Sequence, residues 1–529
     1  MGKIAYDLQL LLLPLLVGLI LAVAGNPSDA VRLAFLSAAG IWLVDYAVRK
    51  QHVWLLAVSA LWWLLFLVDS SLRSVSWFWF NSDIDAYFIL SSVANTNRFE
   101  VMEFIQSHVF ELLIASVLLL TVWFSVFFVF AKQLRLGVRR SQYPILRAVF
   151  WGVALLTVTA YLLRPARVLH PVVFWQDYHA KIQAFRQEVN QHQQIHHHWD
   201  QSARAALPLH SLQTKQTHVL AITESLTSQN FGVCGYPRAT TPHLHSHLKQ
   251  LQVFCQAYSP EPSTIAALKL KLTTLSSSNQ DYTRSASMLA YAKASGYKVF
   301  WISNQSDAYI SSLFGNHADH AVYVNQRGGR SSNSLDENVL PEYIKALADP
   351  HPRKLLILHL IGAHPNYTNR YPARFDQFNV QDDVQRQMNK QHYSFWIRNK
   401  RNQYDNALLY QDWVWNQLFD TLLKHQDLGF RSLVWVSDHG NEVGHELNYA
   451  GHSATTRAGY HVPLVMWHDG LRRVGVNQRV ISTAGLDEQM LKMMQINTPK
   501  TAVTHSWLDA NYQFVASKNW PYWQRARQH

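Results

Sequence analysis

Tyr6 to Gly25, YDLQLLLLPLLVGLILAVAG, is an apolar run holding a single charged residue, Asp7. About 20 such residues in a helix cross a bilayer core of about 30 Å, where only a structure that pairs its own backbone groups is stable. The run therefore reads as a membrane span. A cleaved signal peptide is the alternative, but no small-x-small site is convincingly placed before polar sequence, and further apolar runs follow. Val31 to Val48, Val53 to Val68, Val109 to Ala131 and Ile145 to Leu163 bring the expected spans to five.

The basic residues orient these spans. Lys3, Arg49, Lys50, Lys132, Arg135, Arg139 and Arg140 fall on one side of a five-span arrangement, and an excess of Lys and Arg marks the cytoplasmic side. Everything after Leu163 then lies on the far face, which in a bacterium is the periplasm. This gives a transmembrane domain over 1–163 with a far-face loop at 69–108, interfacial linker helices over 164–210, and a soluble domain over 211–529. At 529 residues the chain exceeds the roughly 250 to 300 residues that one core supports.

The loop is long for a bare connection, and its segment ANTNRFEVMEFIQ carries Asn95, Asn97, Glu100 and Glu103. It reads as a capped short helix, and a solvated amphipathic helix on the membrane surface is one account of it. The linker places Trp175, Tyr178 and Phe185 near one helix face. Its tract His192, His196, His197 and His198 invites a metal, but lacks a second ligand group at defined spacing, so a surface helix is the preferred reading.

The formal charge of +12 raises nucleic acid as a partner. No Lys/Arg cluster interleaved with aromatics stands out in the soluble part, so an anionic membrane or anionic glycolipid is the better match. Two cysteines, Cys234 and Cys255, either pair in an oxidising compartment or stay as buried thiols.

The soluble part alternates strands and helices. Expected strands are His218 to Thr223, Lys298 to Ser303, Ala321 to Val324, Lys354 to Gly362, Ser432 to Ser437 and Val462 to Trp467, with helices at Arg284 to Ser295 and Gln403 to His425. Such alternation predicts a mostly parallel sheet covered by helices on both faces. Open α/β sheets place active sites at the carboxyl ends of strands. The run HVLAIT ends there in Glu224, and SLVWVS ends in Asp438 and His439, so two strand ends offer hard and borderline ligands to one divalent metal. Thr264, in SPEPSTIAALKLKLT, opens a helical run whose N-terminus favours an anionic oxygen and a bound phosphate; taken locally, a helix-capping threonine explains it as well.

The blocks TES, GYPRATTPHL, SPEPSTIAALK, GYKVFWISNQ, LHLIGAHPNY, YDNALLYQD, SDHGNEVG and AGHS, in that order, resemble the phosphoethanolamine transferases of the bacterial envelope, members of the alkaline phosphatase and sulfatase superfamily. The resemblance covers about His218 to Asn497 and, more weakly, the membrane part. It implies five transmembrane helices and a periplasmic α/β sulfatase-like domain. It makes Thr264 the nucleophile, with Ser263 as its rival, and Glu224, Thr264, Asp438 and His439 the holders of one Zn2+, with Mn2+ as an alternative and a second metal possible. His364 and His452 would bind the phosphate or a second, less tightly held metal, or relay protons, Asn304 and Gln305 would donate to phosphate, and Glu100 would hold the donor's ethanolamine. His359 reads as a packed supporting histidine, and Glu442 and His445 stay open.

The implied reaction moves phosphoethanolamine from phosphatidylethanolamine to lipopolysaccharide through a phosphoethanolamine-threonine intermediate, in a multi-pass protein of the inner membrane. The sequence lacks a GTST-type block and many cysteines of the lipid A subgroup, and its SPEPSTIAALK wording is nearer to members that modify the core. A core sugar is therefore favoured over a lipid A phosphate as acceptor. A phosphoglycerol transferase or a metal-dependent sulfatase or phosphodiesterase is the alternative; for a sulfatase, Ser259-Pro260 lacks the arginine of a C/S-x-P-x-R context.

Overall fold

The structure, a computed structural model, describes residues 2–514 apart from 81–82, 86, 97, 137–143, 208–213, 276–284, 306, 326–333, 380, 499–500 and 502–504. Certain side chains inside described helices are also left out, among them Glu100 and Glu103. The chain divides into two units, residues 1–90 with 104–185, and residues 91–103 with 186–529.

The first unit is helical. Among the described residues five segments are long and apolar enough to cross a membrane: Tyr6–Val23, Pro27–Lys50, Val53–Phe78, Val109–Arg135 and Pro144–Leu162. The second is two helices in line, Pro27–Ser37 and Ala39–Lys50, meeting at Ala38. Asn26 caps the first of them, its side chain accepting from Asp29 N–H at 3.1 Å. The helices bury Tyr6, Leu10, Leu33, Ile41, Trp63 and Phe66 among themselves, while residues such as Leu15, Val31, Leu61, Phe128 and Trp151 face outward. Apolar residues on both the inner and outer faces are what a lipid-immersed bundle requires.

The second unit is built on one eight-stranded sheet. Its strands are β1 (Gln216–Thr223), β2 (Gln252–Tyr258), β3 (Lys298–Ser303), β4 (His320–Tyr323), β5 (Arg353–His359), β6 (Phe430–Ser437), β9 (His461–His468) and β10 (Gly475–Ser482), in the spatial order β10-β2-β9-β6-β1-β5-β3-β4; β7 (Glu442–Val443) and β8 (Ala450–Gly451) form a separate pair. All pairings in the large sheet are parallel except those of β9, which runs against β2 and β6. Strand β1 is buried along its whole length between β5 and β6, which is why it reads as a continuous apolar run. Reversal at β9 leaves β2 pointing the same way as β1, so both deliver their carboxyl ends to one edge.

Several elements differ from the sequence expectation. β2 and β10 are additional strands. Gln252 and Gln256 interrupt the first, and the second is an edge strand with alternating exposure, so neither presents a long apolar run. The helix expected from Gln403 starts at Phe395, where the Ser394 hydroxyl accepts from Ile397 N–H. The helix expected from Arg284 starts at Met288, Arg284 itself lying outside the described residues, and ends before Gly296, whose φ of 80° only glycine adopts without strain. Cys234 and Cys255 form a disulfide that ties the segment after β1 to β2. The histidine tract is spent within the second unit: His192 packs edge-on to Tyr309, His196 meets Leu313 O at 2.8 Å, and His197 and His198 pair with Gln201 and Ser202.

Candidate metal centre and active site

Register brings the two acidic strand ends together. Thr223 of β1 lies opposite Ser437 of β6, and Asp438 N–H donates to Thr223 O at 2.9 Å, so Glu224 and Asp438 emerge side by side. Ser225, next to Glu224, adopts a left-handed φ of 63°, a strained conformation for serine that turns the chain sharply at the site. Its N–H holds Asp438 Oδ1 at 3.0 Å and its hydroxyl donates to Glu224 Oε1 at 3.0 Å. The turn after β5 closes against this corner. A Cβ at Gly362 would sit 2.3 Å from Glu224 O, so only glycine fits there.

Thr264 is the first residue of the helix Thr264–Lys271, with Ser263 in the capping position. Its Oγ1 lies 3.1 Å from each carboxylate oxygen of Glu224 and 3.4 Å from His439 Nε2. Ser263 Oγ meets no partner among the described residues, so Thr264 and not its neighbour joins the carboxylates. His439 Nδ1 is held at 2.7 Å by Gly440 O, which leaves Nε2 facing Glu224 at 3.0 Å and Asp438 Oδ2 at 3.3 Å. His452 brings its ring to 4.4 Å from that of His439, and Glu224, His439 and His452 each offer a ligand atom within 4.8 Å of the others.

This cluster is buried. Burial, reinforced by the adjacent Glu224, pushes the Asp438 carboxyl up to about 6. Burial works against a charged His439, but Asp438 and Glu224 outweigh it and raise that histidine. Glu224, His439 and His452 converge on one point with the Asp438 carboxylate 3.3 Å from His439, and such a set of carboxylates and imidazoles calls for a cation. Asp438 Oδ2 is buried and accepts no hydrogen bond among the described residues, an acceptor position that a divalent ion fills. The oxygen and nitrogen donor set suits zinc or manganese better than calcium.

The remaining expected residues fall at varying distances from this point. His364 follows β5 and its ring lies 6.4 Å from that of His452. Gln305 donates to Leu360 O at 2.6 Å and approaches Glu224 Oε2 at 3.4 Å, so it braces a cluster carboxylate. Asn304 turns away: its amide donates to Asp336 Oδ1 at 2.8 Å and to Ser334 O at 3.1 Å, and its oxygen accepts from Ser334. His359 packs on Trp301 and meets Ser303 Oγ at 3.1 Å. His445 engages Asn230 at 2.6 Å, and Glu442 caps the N–H groups of His445 and Glu446. Glu100 lies on the helix Arg98–Ser107, but its side chain is outside the described residues.

Sequence reasoning missed Lys271. Fully buried at the end of the Thr264 helix, its Nζ donates to Ser437 O at 2.7 Å and Asp438 O at 2.6 Å, and burial lowers it to about 7 with Asp438 acting in the opposite sense. A lysine at the inward position of LKLKL, where apolar periodicity calls for leucine, was the available signal.

The α/β sheet that brings these groups together at its carboxyl edge lies within residues 216–496, which the sulfatase family model matches. That is more than half of the chain, which belongs to this family. Within it the chain is 35% identical over 265 residues to phosphoethanolamine transferase EptC of Escherichia coli (strain K12), covering 48% of this chain and 45% of the relative. It is 33% identical over 271 residues to phosphoethanolamine transferase CptA of Salmonella typhimurium, covering 49% and 46%. The chain spans about half the length of the curated relatives it matches. The crystal structure of the C-terminal periplasmic domain of Escherichia coli EptC in complex with Zn aligns with a TM-score of 0.53 at 29% identity, over 60% of this chain and 94% of that one. The integral membrane lipooligosaccharide phosphoethanolamine transferase A from Neisseria meningitidis aligns with a TM-score of 0.59 at 21% identity, over 92% and 95%, a likeness of fold.

Proposed function

We propose that the chain transfers phosphoethanolamine from phosphatidylethanolamine to lipopolysaccharide, a core sugar being the favoured acceptor, in the inner membrane with its second unit in the periplasm. The first unit anchors the enzyme beside lipid substrates and the second carries the chemistry. The observation that carries this reading is the position of Thr264 Oγ1, at 3.1 Å from both oxygens of Glu224 and 3.4 Å from His439 Nε2, at the start of a helix. Identity to relatives named phosphoethanolamine transferases supports the transferred group, and the zinc complex of one such domain supports the metal.

Glu224, Asp438 and His439, with the Thr264 oxygen and with His452 nearby, would hold the zinc, and a zinc ion there supplies the positive charge that lowers the threonine hydroxyl's pKa and offsets charge on phosphate oxygens. Thr264 Oγ1, as its alkoxide, attacks phosphorus, and the bond from phosphorus to the diacylglycerol oxygen breaks. That oxygen leaves with a proton donated by His452 or His364, giving diacylglycerol and phosphoethanolamine-threonine. The acceptor hydroxyl then attacks the same phosphorus and gives its proton to the histidine, and the bond from phosphorus to Thr264 Oγ1 breaks, returning that oxygen as the alkoxide that began the cycle. Helix N–H groups behind Thr264 favour the phosphate throughout. Glu100 remains the proposed partner of the ethanolamine ammonium.

Mass spectrometry of the peptide containing Thr264, after incubation with phosphatidylethanolamine and no acceptor, tests the reading. A phosphoethanolamine adduct on Thr264 is expected; donor cleavage with no adduct would replace it with direct hydrolysis.

A further inference from the structure

The long helix Phe395–Lys424 begins with two large aromatic side chains in the open. Phe395 is 76% exposed and Trp396 41%, and Leu447 on the neighbouring loop is 37% exposed. Local looseness does not account for them. Ile397, the next residue, is fully buried with Val384 and Met388, and the turn into the helix is fixed by a left-handed His392 with φ 62° and by the Ser394 cap. Contiguous exposed apolar surface on a well-packed element marks an interaction site.

The same corner is tied to the candidate active site. Tyr393 donates from its hydroxyl to His445 O at 2.9 Å, and Ser394 N–H donates to Asn448 Oδ1 at 2.9 Å. A Cβ at Gly444 would meet Ile397 at 2.6 Å and Met388 at 2.7 Å, so helix and loop are closely apposed. That loop, residues 440–451, is the connection between His439 and His452. The aromatic pair therefore stands on the wall that carries two of the cluster's histidines.

Charge indicates what binds there. Arg386 and Lys390 lie on the helix Asp383–Lys390, which packs on the start of the Phe395 helix, and Arg398 and Lys400 follow the aromatics on their own helix, against the acidic Asp383 and Glu446. Arg386 pairs with Asp383, Glu446 accepts the N–H of Arg457, and among the described residues no carboxylate pairs with Lys390 or Arg398. Lys400 holds its ammonium 5.6 Å from the Trp396 ring centroid. The stretch Tyr393–Arg401, YSFWIRNKR, is thus a basic segment interleaved with aromatics, which corrects the sequence reading that none stands out in the soluble part. Ammonium and guanidinium groups bind phosphate, and aromatic faces take the C–H faces of sugar rings.

We propose that this aromatic and basic corner docks the phosphorylated sugars of the anionic glycolipid acceptor and presents them to the cluster across the 440–451 loop. The inference rests on the transferase reading and adds the surface that selects its acceptor.

The test is binding by the full chain in detergent, in a Thr264→Ala background so that no turnover intervenes. The probes are lipopolysaccharide carrying phosphorylated core sugars, lipid A alone, and vesicles of phosphatidylglycerol. Phe395→Ala/Trp396→Ala should weaken binding of the core-bearing probe by roughly tenfold, the usual order for truncating aromatic anchors, and leave the other two unchanged. Lys390→Glu/Lys400→Glu should do the same, and serves if the aromatic variant fails to fold. Unchanged affinity for the core-bearing probe would overturn the proposal. Equal losses on vesicles would also overturn it, assigning the corner to general bilayer contact. The Thr264 adduct judges the transferase reading separately, so the two failures are distinguishable.

Discussion

Lys271 Nζ donates to the backbone carbonyl of Asp438 at 2.6 Å, tying the far end of the Thr264 helix to the strand end that carries two cluster residues. A buried lysine spent on carbonyls is an unusual way to fix a loop, since burying the charge is costly without such partners. Here it sets the Thr264 helix and the Asp438-His439 turn in one register.

Lys271→Met should therefore loosen that turn. It takes the lysine donor from both buried carbonyls, a loss of about 1 to 3 kcal/mol at Ser437 O, while Asp438 O keeps the hydroxyl of Ser259. Zinc retained after dialysis should fall, and turnover should drop by roughly tenfold to a hundredfold, the usual effect of disturbing groups that orient metal ligands. Metal analysis and rate measurement check this; both staying at wild-type levels would show the tie to be dispensable.

Thr264→Ala and Asp438→Ala should separate chemistry from metal binding. The first removes the oxygen proposed to attack and should abolish transfer, by about a thousandfold or more, while zinc content stays largely intact. The second removes a cluster carboxylate and should lose both. Metal content and transfer rate measured on the two purified variants distinguish the roles.

Acid should destabilise the second unit through its buried histidines. Burial lowers His192 and His196 to about 4 and His218 and His461 to about 3. Their folded values lie below the unfolded value near 6.5, so the unfolded chain binds more protons and stability falls as pH drops from about 6.5 toward those values. The urea midpoint should be lower at pH 5 than at pH 7.5. His192→Phe should reduce that difference, because His192 is buried and among the described residues neither ring nitrogen is hydrogen-bonded.

Reduction of Cys234–Cys255 should lower stability by about 3 kcal/mol, the chain-entropy expectation for a loop of this size. Thermal melts with and without reductant read the change, and the Cys234→Ser/Cys255→Ser variant should melt at the reduced temperature in both.

The parts of this molecule legible in sequence were those where one physical demand dominates. Five apolar runs declared the spans, and HVLAIT and SLVWVS declared two central strands because burial on both faces leaves only apolar residues between their ends. Their terminal Glu224 and Asp438-His439 stood out by contrast. β2 and β10 were not legible: the glutamines of the first and the edge position of the second break the apolar pattern. The helix start at Phe395 was hidden in a basic stretch that faces water. His452 was read as a ligand of phosphate or of a second metal, and its approach to His439 depends on how the 440–451 loop folds back, which no spacing encodes. The direction of the Asn304 amide, toward Asp336, likewise depends on a partner 32 positions away.

The most direct test of the account is the mass of lipopolysaccharide, separated into core and lipid A fractions, from cells expressing the wild-type chain or Thr264→Ala. The account predicts a phosphoethanolamine increment on the core fraction with the wild type and none with Thr264→Ala. An increment confined to lipid A would contradict the acceptor, and no increment on either fraction would contradict the transfer to lipopolysaccharide itself.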